Sequence, residues 1–187
     1  MKIYFILLLL INLHVFAQPK KLNIKSVNTV GISFGNAGSY FNIKSVNGIA
    51  KQKWFAGIGV GVDFYKYKSV TATADYRKYI FKKNNFGING AAGYNFPFDN
   101  KDKTGFIPVD SYYSKKFKGG LYSTAGLFYE FKLFKKIKGV INPDFNIRRM
   151  SIVSKDVMPC LVAPCPETVT TYTYNLQTFS IKTGIVF

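Results

Sequence analysis

The chain has 187 residues, and its 26 Lys and Arg residues against 9 Asp and Glu residues give a formal net charge of +17. Hydrophobic residues make up 48% of the sequence and aromatic residues 17%, a composition that excludes an intrinsically disordered chain. The length predicts one domain, and the excess of lysine indicates either contact with phosphate groups or simply solubility.

The first predicted element is an export signal over residues 1–17. A short positive start precedes the apolar run Ile3–Ile11, and Val15-Phe16-Ala17 has the residue types of a cleavage site before Gln18. The run is too short for a retained membrane anchor, which needs about 20 apolar residues, and no cysteine directly follows it for a lipid anchor. We therefore expect a signal peptide at 1–17 and one exported domain at 18–187.

The exported part contains segments whose residue pattern predicts β-strands, of which the Tyr40–Ile49 segment alternates least clearly. In chain order they are Val27–Gly35, Tyr40–Ile49, Trp54–Tyr65, Val70–Ile80, Phe86–Phe96, Leu121–Leu133, Val140–Ile152 and Leu176–Phe187. The pattern is clearest in Trp54–Tyr65, where Ile58 and Val60 share an apolar face and Gly59 and Gly61 lie on the opposite face. A soluble sandwich strand would carry polar residues there. A glycine-rich face fits the crowded interior of a small barrel, so we predict an all-β fold, a single closed antiparallel barrel of eight strands.

The connections between these segments fall into two classes. Ala50–Lys53, Phe81–Asn85 and Phe134–Gly139 are short and rich in lysine, whereas Pro97–Gly120 and Val153–Asn175 are long. Bacterial outer-membrane barrels have an even number of strands, short periplasmic turns and long outer loops. The pattern therefore predicts a transmembrane barrel whose turn lysines contact phosphates of phospholipid or lipopolysaccharide.

The last predicted strand has one apolar face, which is typical of the C-terminal assembly signal of an outer-membrane barrel. Its residues are Phe179, Ile181, Ile185 and Phe187. With Trp54–Tyr65, Asp75–Tyr79 and Ala92–Tyr94, this ending resembles the small eight-stranded barrels of the outer-membrane-protein A/X type, within the outer membrane protein β-barrel domain family. The resemblance extends over the whole exported part. It implies a monomer that the barrel-assembly machinery inserts into the cell outer membrane, without a defined chemistry.

Charged residues within the predicted strands lie mostly on the glycine or polar face and are expected to point into the lumen. They are Asp63, Asp75, Arg77, Glu130, Lys132, Asp144 and Arg148. The interior of an eight-stranded barrel is just wide enough for its own side chains, and buried charges must be paired. We therefore interpret these residues as a charge network that plugs the lumen, with a proton or ion path as the alternative.

Histidine is absent from the predicted exported part, because the single histidine, His14, lies in the signal peptide. This excludes Ser–His hydrolysis and the usual metal sites. It also excludes the lipid-A deacylase and palmitoyltransferase barrels suggested by the resemblance, since both rely on histidine. We predict that the protein is not an enzyme and has no catalytic residue, metal or cofactor. The sequence has no nucleic-acid-binding motif, and export argues against that partner.

The two long connections contain the remaining candidate sites. In an exported protein, Cys160 and Cys165 predict a disulfide rather than a metal site, because nothing nearby completes a set of ligands. A stiffened loop tip suits contact with a partner and equally suits protease resistance. The other connection contains Phe106, Tyr112 and Phe117 among lysines, and these aromatic residues could bind glycan or lipopolysaccharide or pack together.

The function that we predict is that of a non-enzymatic integral outer-membrane protein with a plugged lumen. Its lipid face contacts outer-membrane lipids and lipopolysaccharide, and its outer loops contact an extracellular protein or glycan in adhesion or interaction. Two alternatives stay open at this point: a narrow pore or transport accessory, and a secreted lipocalin-like barrel that binds an apolar ligand. The lipocalin-like alternative requires a polar exterior, which Trp54–Tyr65 does not supply.

Overall fold

The computed structural model describes residues 23–81, 85–98, 113–134, 137–157 and 167–187. The described residues form strands joined by turns, because apolar and small residues alternate along most segments and β-branched residues are frequent. The strands are β1 (Asn23–Gly35), β2 (Gly38–Lys51), β3 (Trp54–Asp63), β4 (Ser69–Tyr79), β5 (Phe86–Pro97), β6 (Tyr113–Lys118), β7 (Gly120–Lys132), β8 (Lys138–Val157) and β9 (Glu167–Val186).

These strands close into an antiparallel barrel. Pairing runs from β8 through β7, β5, β4, β3, β2 and β1 to β9, and β9 pairs with β8 again, so that eight strands form the cycle. The seam between the first and last strands extends from Val27↔Val186 to Phe34↔Phe179. The predicted eight-stranded closed barrel is therefore confirmed, and the uncertain segment Tyr40–Ile49 is the full strand β2.

The barrel has two different ends. At one end, which we call the turn end, β1 begins, β9 ends, and three short connections join β2 to β3, β4 to β5 and β7 to β8. At the opposite end, which we call the loop end, β8 and β9 continue past the barrel as strands of 20 residues each. Beyond Arg148, β8 pairs with β6 instead of β7. We call the resulting three-stranded extension, 113–118 with 151–156 and 168–173, the loop-end sheet.

The loop-end sheet is built from parts of the two connections that the sequence analysis identified only as long. The described parts of Val153–Asn175 are strand, and Pro97–Gly120 contains β6. One face of the sheet is partly covered, because Ile152 and Ser154 of β8 are buried, whereas the residues of β9 from Glu167 to Thr173 are exposed. A β-bulge separates β6 from β7: between Lys118↔Ser151 and Tyr122↔Arg148, three residues oppose two.

The barrel buries polar residues and exposes apolar ones. Buried side chains in the middle of the lumen include Thr73, Asp75, Asn142 and Asp144. An apolar cluster fills the lumen near the turn end, and it comprises Val27, Val46, Phe55, Tyr79, Phe128, Val140 and Val186. The outward positions carry most of the large apolar side chains of the strands. The interior of this barrel is therefore more polar than its surface.

Among the described residues there is no helix with the length and apolarity needed to cross a membrane.

Candidate functional site in the barrel lumen

The lumen contains four groups of charged side chains, and each group is built around a carboxylate or a guanidinium. The group nearest the turn end is centred on Glu130 of β7, whose Oε1 lies 2.6 Å from Nζ of Lys25 and accepts a 2.8 Å hydrogen bond from the Tyr79 hydroxyl. The ammonium of Lys138 lies 3.4 Å from Oε2. Lys25 also donates to the Tyr79 hydroxyl, so that β1, β4, β7 and β8 meet at one carboxylate.

The second group is centred on Asp75 of β4. Nζ of Lys44 lies 2.8 Å from Oδ1 of Asp75, and the Thr73 hydroxyl donates a 2.6 Å hydrogen bond to Oδ2. Arg77, two residues further along β4, is buried with its guanidinium carbon 5.3 Å from the centroid of the Phe128 ring. Its Nε and Nη1 make no hydrogen bond with the described residues. Cation–π attraction to Phe128 thus partly compensates the buried charge.

The third group is centred on Asp144 of β8 and forms a continuous hydrogen-bonded chain. Asp144 pairs with Lys182 at 2.8 Å and accepts a 3.0 Å hydrogen bond from each of the Asn142 and Asn146 amides. Asn146 accepts a 2.7 Å hydrogen bond from the Tyr122 hydroxyl and donates to Ser180 at 2.8 Å. Both oxygens of this buried carboxylate are therefore satisfied, which a buried charge requires.

The fourth group lies at the loop end of the lumen, around Arg148 of β8. Its Nη1 lies 3.5 Å from Oδ2 of Asp63 and donates a 2.7 Å hydrogen bond to the Ser69 hydroxyl. Nη2 donates to the backbone carbonyl of Tyr65, and the guanidinium carbon lies 6.0 Å from the Tyr65 ring centroid. The Tyr65 hydroxyl accepts a 2.9 Å hydrogen bond from the backbone of Ala37. Arg148 therefore holds the β3–β4 connection across the loop end of the lumen through its hydrogen bond to Tyr65.

These groups leave little space inside the barrel. A cavity in the middle of the lumen, lined by Lys44, Asp63 and Lys182 among others, has a volume of about 10 Å³. A water molecule requires about 10–15 Å³ by this kind of measure. Nearer the turn end, the side chains of Phe55, Phe128 and Val140 are fully buried. The cavity among these charged groups is therefore about the size of one water molecule.

Six of the seven residues predicted for the lumen network take part in it or lie within it. Asp63, Asp75, Glu130, Asp144 and Arg148 form ion pairs there, and Arg77 is buried beside them. Lys132 does not: it is exposed in the last position of β7. Lys132 lies on the same face of β7 as Glu130, but it is located beyond the turn end of the lumen.

Sequence reasoning missed the lysines that balance these carboxylates, namely Lys25, Lys44 and Lys182. Lys182 lies on the polar face of a clearly alternating strand, and that position was a usable signal. Lys44 lies in the segment with the weakest alternation, where the inward face is hard to assign. Lys25 precedes the predicted start of its strand. The existence of a network could be predicted, whereas its partners could not.

The other predicted site residues have different outcomes. Phe179, Ile181, Ile185 and Phe187 are all exposed on the barrel exterior, and their role as an assembly signal stays a prediction. Cys160 and Cys165 lie outside the described residues. Within the described ranges, no group of three or more His, Cys, Asp or Glu side chains could hold a metal ion. Phe117 packs on Tyr67 of the β3–β4 connection with ring centroids 5.3 Å apart, whereas Phe106 and Tyr112 lie outside the described residues, so packing and ligand binding both stay open for the loop aromatics.

Comparison with known proteins adds no family. No family model matches the chain, and no curated protein matches it.

Among solved structures, the solid-state NMR structure of the outer membrane protein AlkL in DMPC bilayers is 13% identical to this chain. The match covers 88% of each chain and has a TM-score of 0.48. The crystal structure of a major outer membrane protein from Thermus thermophilus is 11% identical, with 88% of this chain and 98% of that chain covered and a TM-score of 0.49. A de novo designed transmembrane β-barrel is 12% identical, with coverages of 90% and 97% and a TM-score of 0.43. These likenesses are weak, so the description of the barrel rests on its own strand pairing.

Proposed function

We propose that this chain is a non-enzymatic integral outer-membrane barrel. One observation carries the proposal: burial is inverted relative to a water-soluble protein. Ile58 on the barrel exterior is 74% exposed, whereas Glu130 in the lumen is 2% exposed. Extensive exposed apolar surface is unfavourable in water and marks a contact with protein or membrane. Acyl chains around the barrel would cover this surface and remove that cost. A closed barrel can be surrounded by lipid because its wall has no unpaired strand edge.

The exterior aromatic residues support this placement. Phe34, Phe41 and Phe96 are exposed near the loop end. Phe81, Phe134 and Phe187 are exposed near the turn end. Aliphatic and small residues such as Ile58 and Val60 lie between the two sets. Transmembrane barrels carry aromatic girdles at both interfaces around an aliphatic band, so the two sets fit the two surfaces of one membrane.

The paired charges in the lumen favour a closed barrel over a pore. Four carboxylates, Asp63, Asp75, Glu130 and Asp144, are each within 3.5 Å of a lysine or arginine. An ion crossing the barrel would have to separate such pairs in a low dielectric, at a cost of several kcal/mol for each uncompensated charge. We infer that the network stabilises the barrel and does not conduct.

The loop-end sheet is the part that we propose for contact with an extracellular partner. From Glu167 to Thr178, β9 pairs with β8 on one side, while its ladder with β1 begins only at Phe179. Most side chains of this stretch are exposed. An uncovered strand edge of this kind can add a strand from another chain. Adhesion or interaction is therefore the function that the geometry favours.

Two measurements test the membrane placement. The purified protein in detergent is expected to migrate differently before and after boiling, because a closed barrel resists unfolding. In cells in which Cys160 and Cys165 are replaced by Ser, a membrane-impermeant maleimide is expected to label Thr171→Cys on intact cells and Lys53→Cys only after permeabilisation. Recovery in the soluble periplasmic fraction, or equal labelling of both positions on intact cells, contradicts the proposal.

Single-channel recording tests the closed lumen separately. Refolded protein in planar bilayers is expected to show no stable openings. Reproducible, ion-selective openings would favour the pore instead and would leave the membrane placement intact.

A further inference from the structure

A cavity of about 370 Å³ opens at the turn end of the barrel. Its walls come from the starts of β1 and β8 and the ends of β2, β4 and β9, and they include Ile24, Lys25, Lys51, Tyr79, Lys138 and Phe187. The volume lies within the range of small-molecule sites, about 300–1,000 Å³. We call this cavity the turn-end cup.

The cup has a closed floor. The Tyr79 hydroxyl and the Lys25 ammonium both reach Oε1 of Glu130, at 2.8 and 2.6 Å. Directly beneath, the fully buried rings of Phe55 and Phe128 belong to the apolar cluster that fills the lumen. The Lys25 ammonium lies 5.9 Å from the Phe55 ring centroid, and the Tyr79 ring lies 5.1 Å from that of Phe128. The cup is therefore a blind site and does not lead into a channel.

The charge of the cup is unbalanced. Three lysines, Lys25, Lys51 and Lys138, line it, and Glu130 beneath it is the one carboxylate that pairs with them among the described residues. The ammonium groups that line the cup therefore outnumber the carboxylate side chains that pair with them. Lys138 is only weakly engaged, since its side chain is 47% exposed and its nitrogen is 3.4 Å from Glu130. Lys51 is exposed and makes no ion pair within the described part of the chain.

We propose that the turn-end cup binds a phosphate monoester that carries an apolar group. A phosphate monoester has a charge near −2 at neutral pH and three strong acceptor oxygens, which suits the exposed ammonium of Lys51 and the weakly paired ammonium of Lys138. Ile24, Ala50, Val186 and Phe187 supply the apolar part of the wall. The ester could be soluble or could be the head group of a membrane lipid. The lipid source rests on the proposed membrane placement, whereas the soluble source rests on the fold alone.

The test uses the full barrel in nanodiscs of zwitterionic phosphatidylcholine, with hexyl phosphate as the probe and calorimetric titration as the measurement. Lys51→Gln/Lys138→Gln removes the two accessible ammonium groups and keeps Lys25, the closest partner of Glu130. The matched control, Lys68→Gln/Lys116→Gln, removes two exposed lysines at the other end, so that net charge is equal. We expect saturable binding that is at least tenfold weaker in the first variant and within twofold of wild type in the control.

Two competition arms identify the source. Inorganic phosphate that displaces hexyl phosphate at similar concentrations indicates a soluble ligand. If phosphatidic acid in the nanodisc raises the apparent Kd of hexyl phosphate and free phosphate does not, the ligand is a lipid head group. Absence of saturable binding, or equal weakening in both double variants, overturns the proposal, because bulk attraction to a basic chain then explains the data. Unboiled migration of the same samples monitors the barrel, so that loss of the site and loss of the fold are distinguishable.

Discussion

Lys182 of β9 and Asp144 of β8 form an ion pair at 2.8 Å in which both side chains are almost completely buried. The pair joins two neighbouring strands, because β8 and β9 pair with each other from Lys138↔Val186 to Val157↔Glu167. Asn142 and Asn146 occupy the other acceptor positions of the carboxylate. Because both charges have lost their hydration, each depends on the other, and the pair therefore fixes how β9 sits against β8.

Removing one partner of this pair is expected to be costly. Asp144→Ala leaves Lys182 buried without a carboxylate, and breaking such a pair costs about 3–5 kcal/mol. The free energy of unfolding in vesicles, followed by the fluorescence of the single tryptophan Trp54 across a urea titration, measures the loss. The double variant Asp144→Ala/Lys182→Met is expected to recover a substantial part of it, since no unpaired charge remains.

The control for this prediction is the exposed pair Lys155–Glu167 in the loop-end sheet, at 3.4 Å with side chains 51% and 53% exposed. Glu167→Gln is expected to change the free energy of unfolding by less than about 1 kcal/mol, as exposed pairs do. If Asp144→Ala and Glu167→Gln have the same small effect, the lumen is hydrated and the description of a filled interior is wrong.

The proposed membrane placement predicts different results for two valines of similar exposure. Val60 in the barrel wall is 55% exposed and Val169 in the loop-end sheet is 54% exposed. Val60→Arg is expected to reduce the free energy of insertion by about 2–4 kcal/mol, as Arg does on the lipid face near the bilayer midplane. Val169→Arg is expected to insert like wild type, because the proposal places the loop-end sheet outside the membrane. The measurement is the fraction folded into liposomes at matched protein concentration.

Equal insertion of the two variants would contradict the membrane placement of the wall. A stronger defect in Val169→Arg would instead place the loop-end sheet in lipid and the barrel wall in water. Each result is readable without knowledge of a partner.

Close backbone approach makes one glycine of β3 difficult to replace. A Cβ atom at Gly57 would lie 2.6 Å from the carbonyl oxygen of Asn47 on β2, whereas a Cβ at Gly90 on β5 would meet Thr124 at 3.7 Å, an ordinary contact. Gly57→Ala is therefore expected to force the β2–β3 ladder apart at a cost of about 1–3 kcal/mol. Gly90→Ala is expected to be nearly neutral. Urea unfolding in vesicles compares them, and equal stability of the two variants would show that β2 adjusts freely.

The alternation of apolar and small residues made the barrel predictable from the sequence. The same reasoning failed for segments in which this alternation is weak. Within the wall, Ile58 faces the exterior and Gly59 faces the lumen, so a two-residue period identifies the strand and both faces. In the loop-end sheet, Tyr113–Lys118 is only six residues long and three of them are lysines, so its sequence has too little apolar alternation to identify a strand. The pairing of this strand with β8 is non-local, and the pattern of a single sequence does not show it.

The lumen network shows the same limit at the level of single residues. The carboxylates and Arg148 were predictable because each lies on the small or polar face of a strand. Which lysine balances which carboxylate depends on the tilt and register of the closed barrel. Lys44 and Asp75 are 31 residues apart in the chain, and Lys25 and Glu130 are 105 apart. These pairings require the three-dimensional closure that alternation does not specify.

An aromatic contact attaches the loop-end sheet to the barrel, and it gives the last prediction. Tyr67, in the β3–β4 connection, has its ring centroid 5.3 Å from that of Phe117 on β6 and 6.2 Å from that of Tyr174 on β9. Aromatic pairs contribute about 0.5–1.5 kcal/mol each, so losing both contacts in Tyr67→Ser is expected to lower amide protection in the loop-end sheet by about tenfold or more.

The matched control is Tyr172→Ser, which removes an exposed ring on the same sheet. Hydrogen exchange resolves the two regions, and the amides of the barrel wall are expected to stay unchanged in both variants, because the lumen network holds them independently. Equal protection of the loop-end sheet in Tyr67→Ser and wild type would show that strand pairing with β8 alone holds the sheet in place.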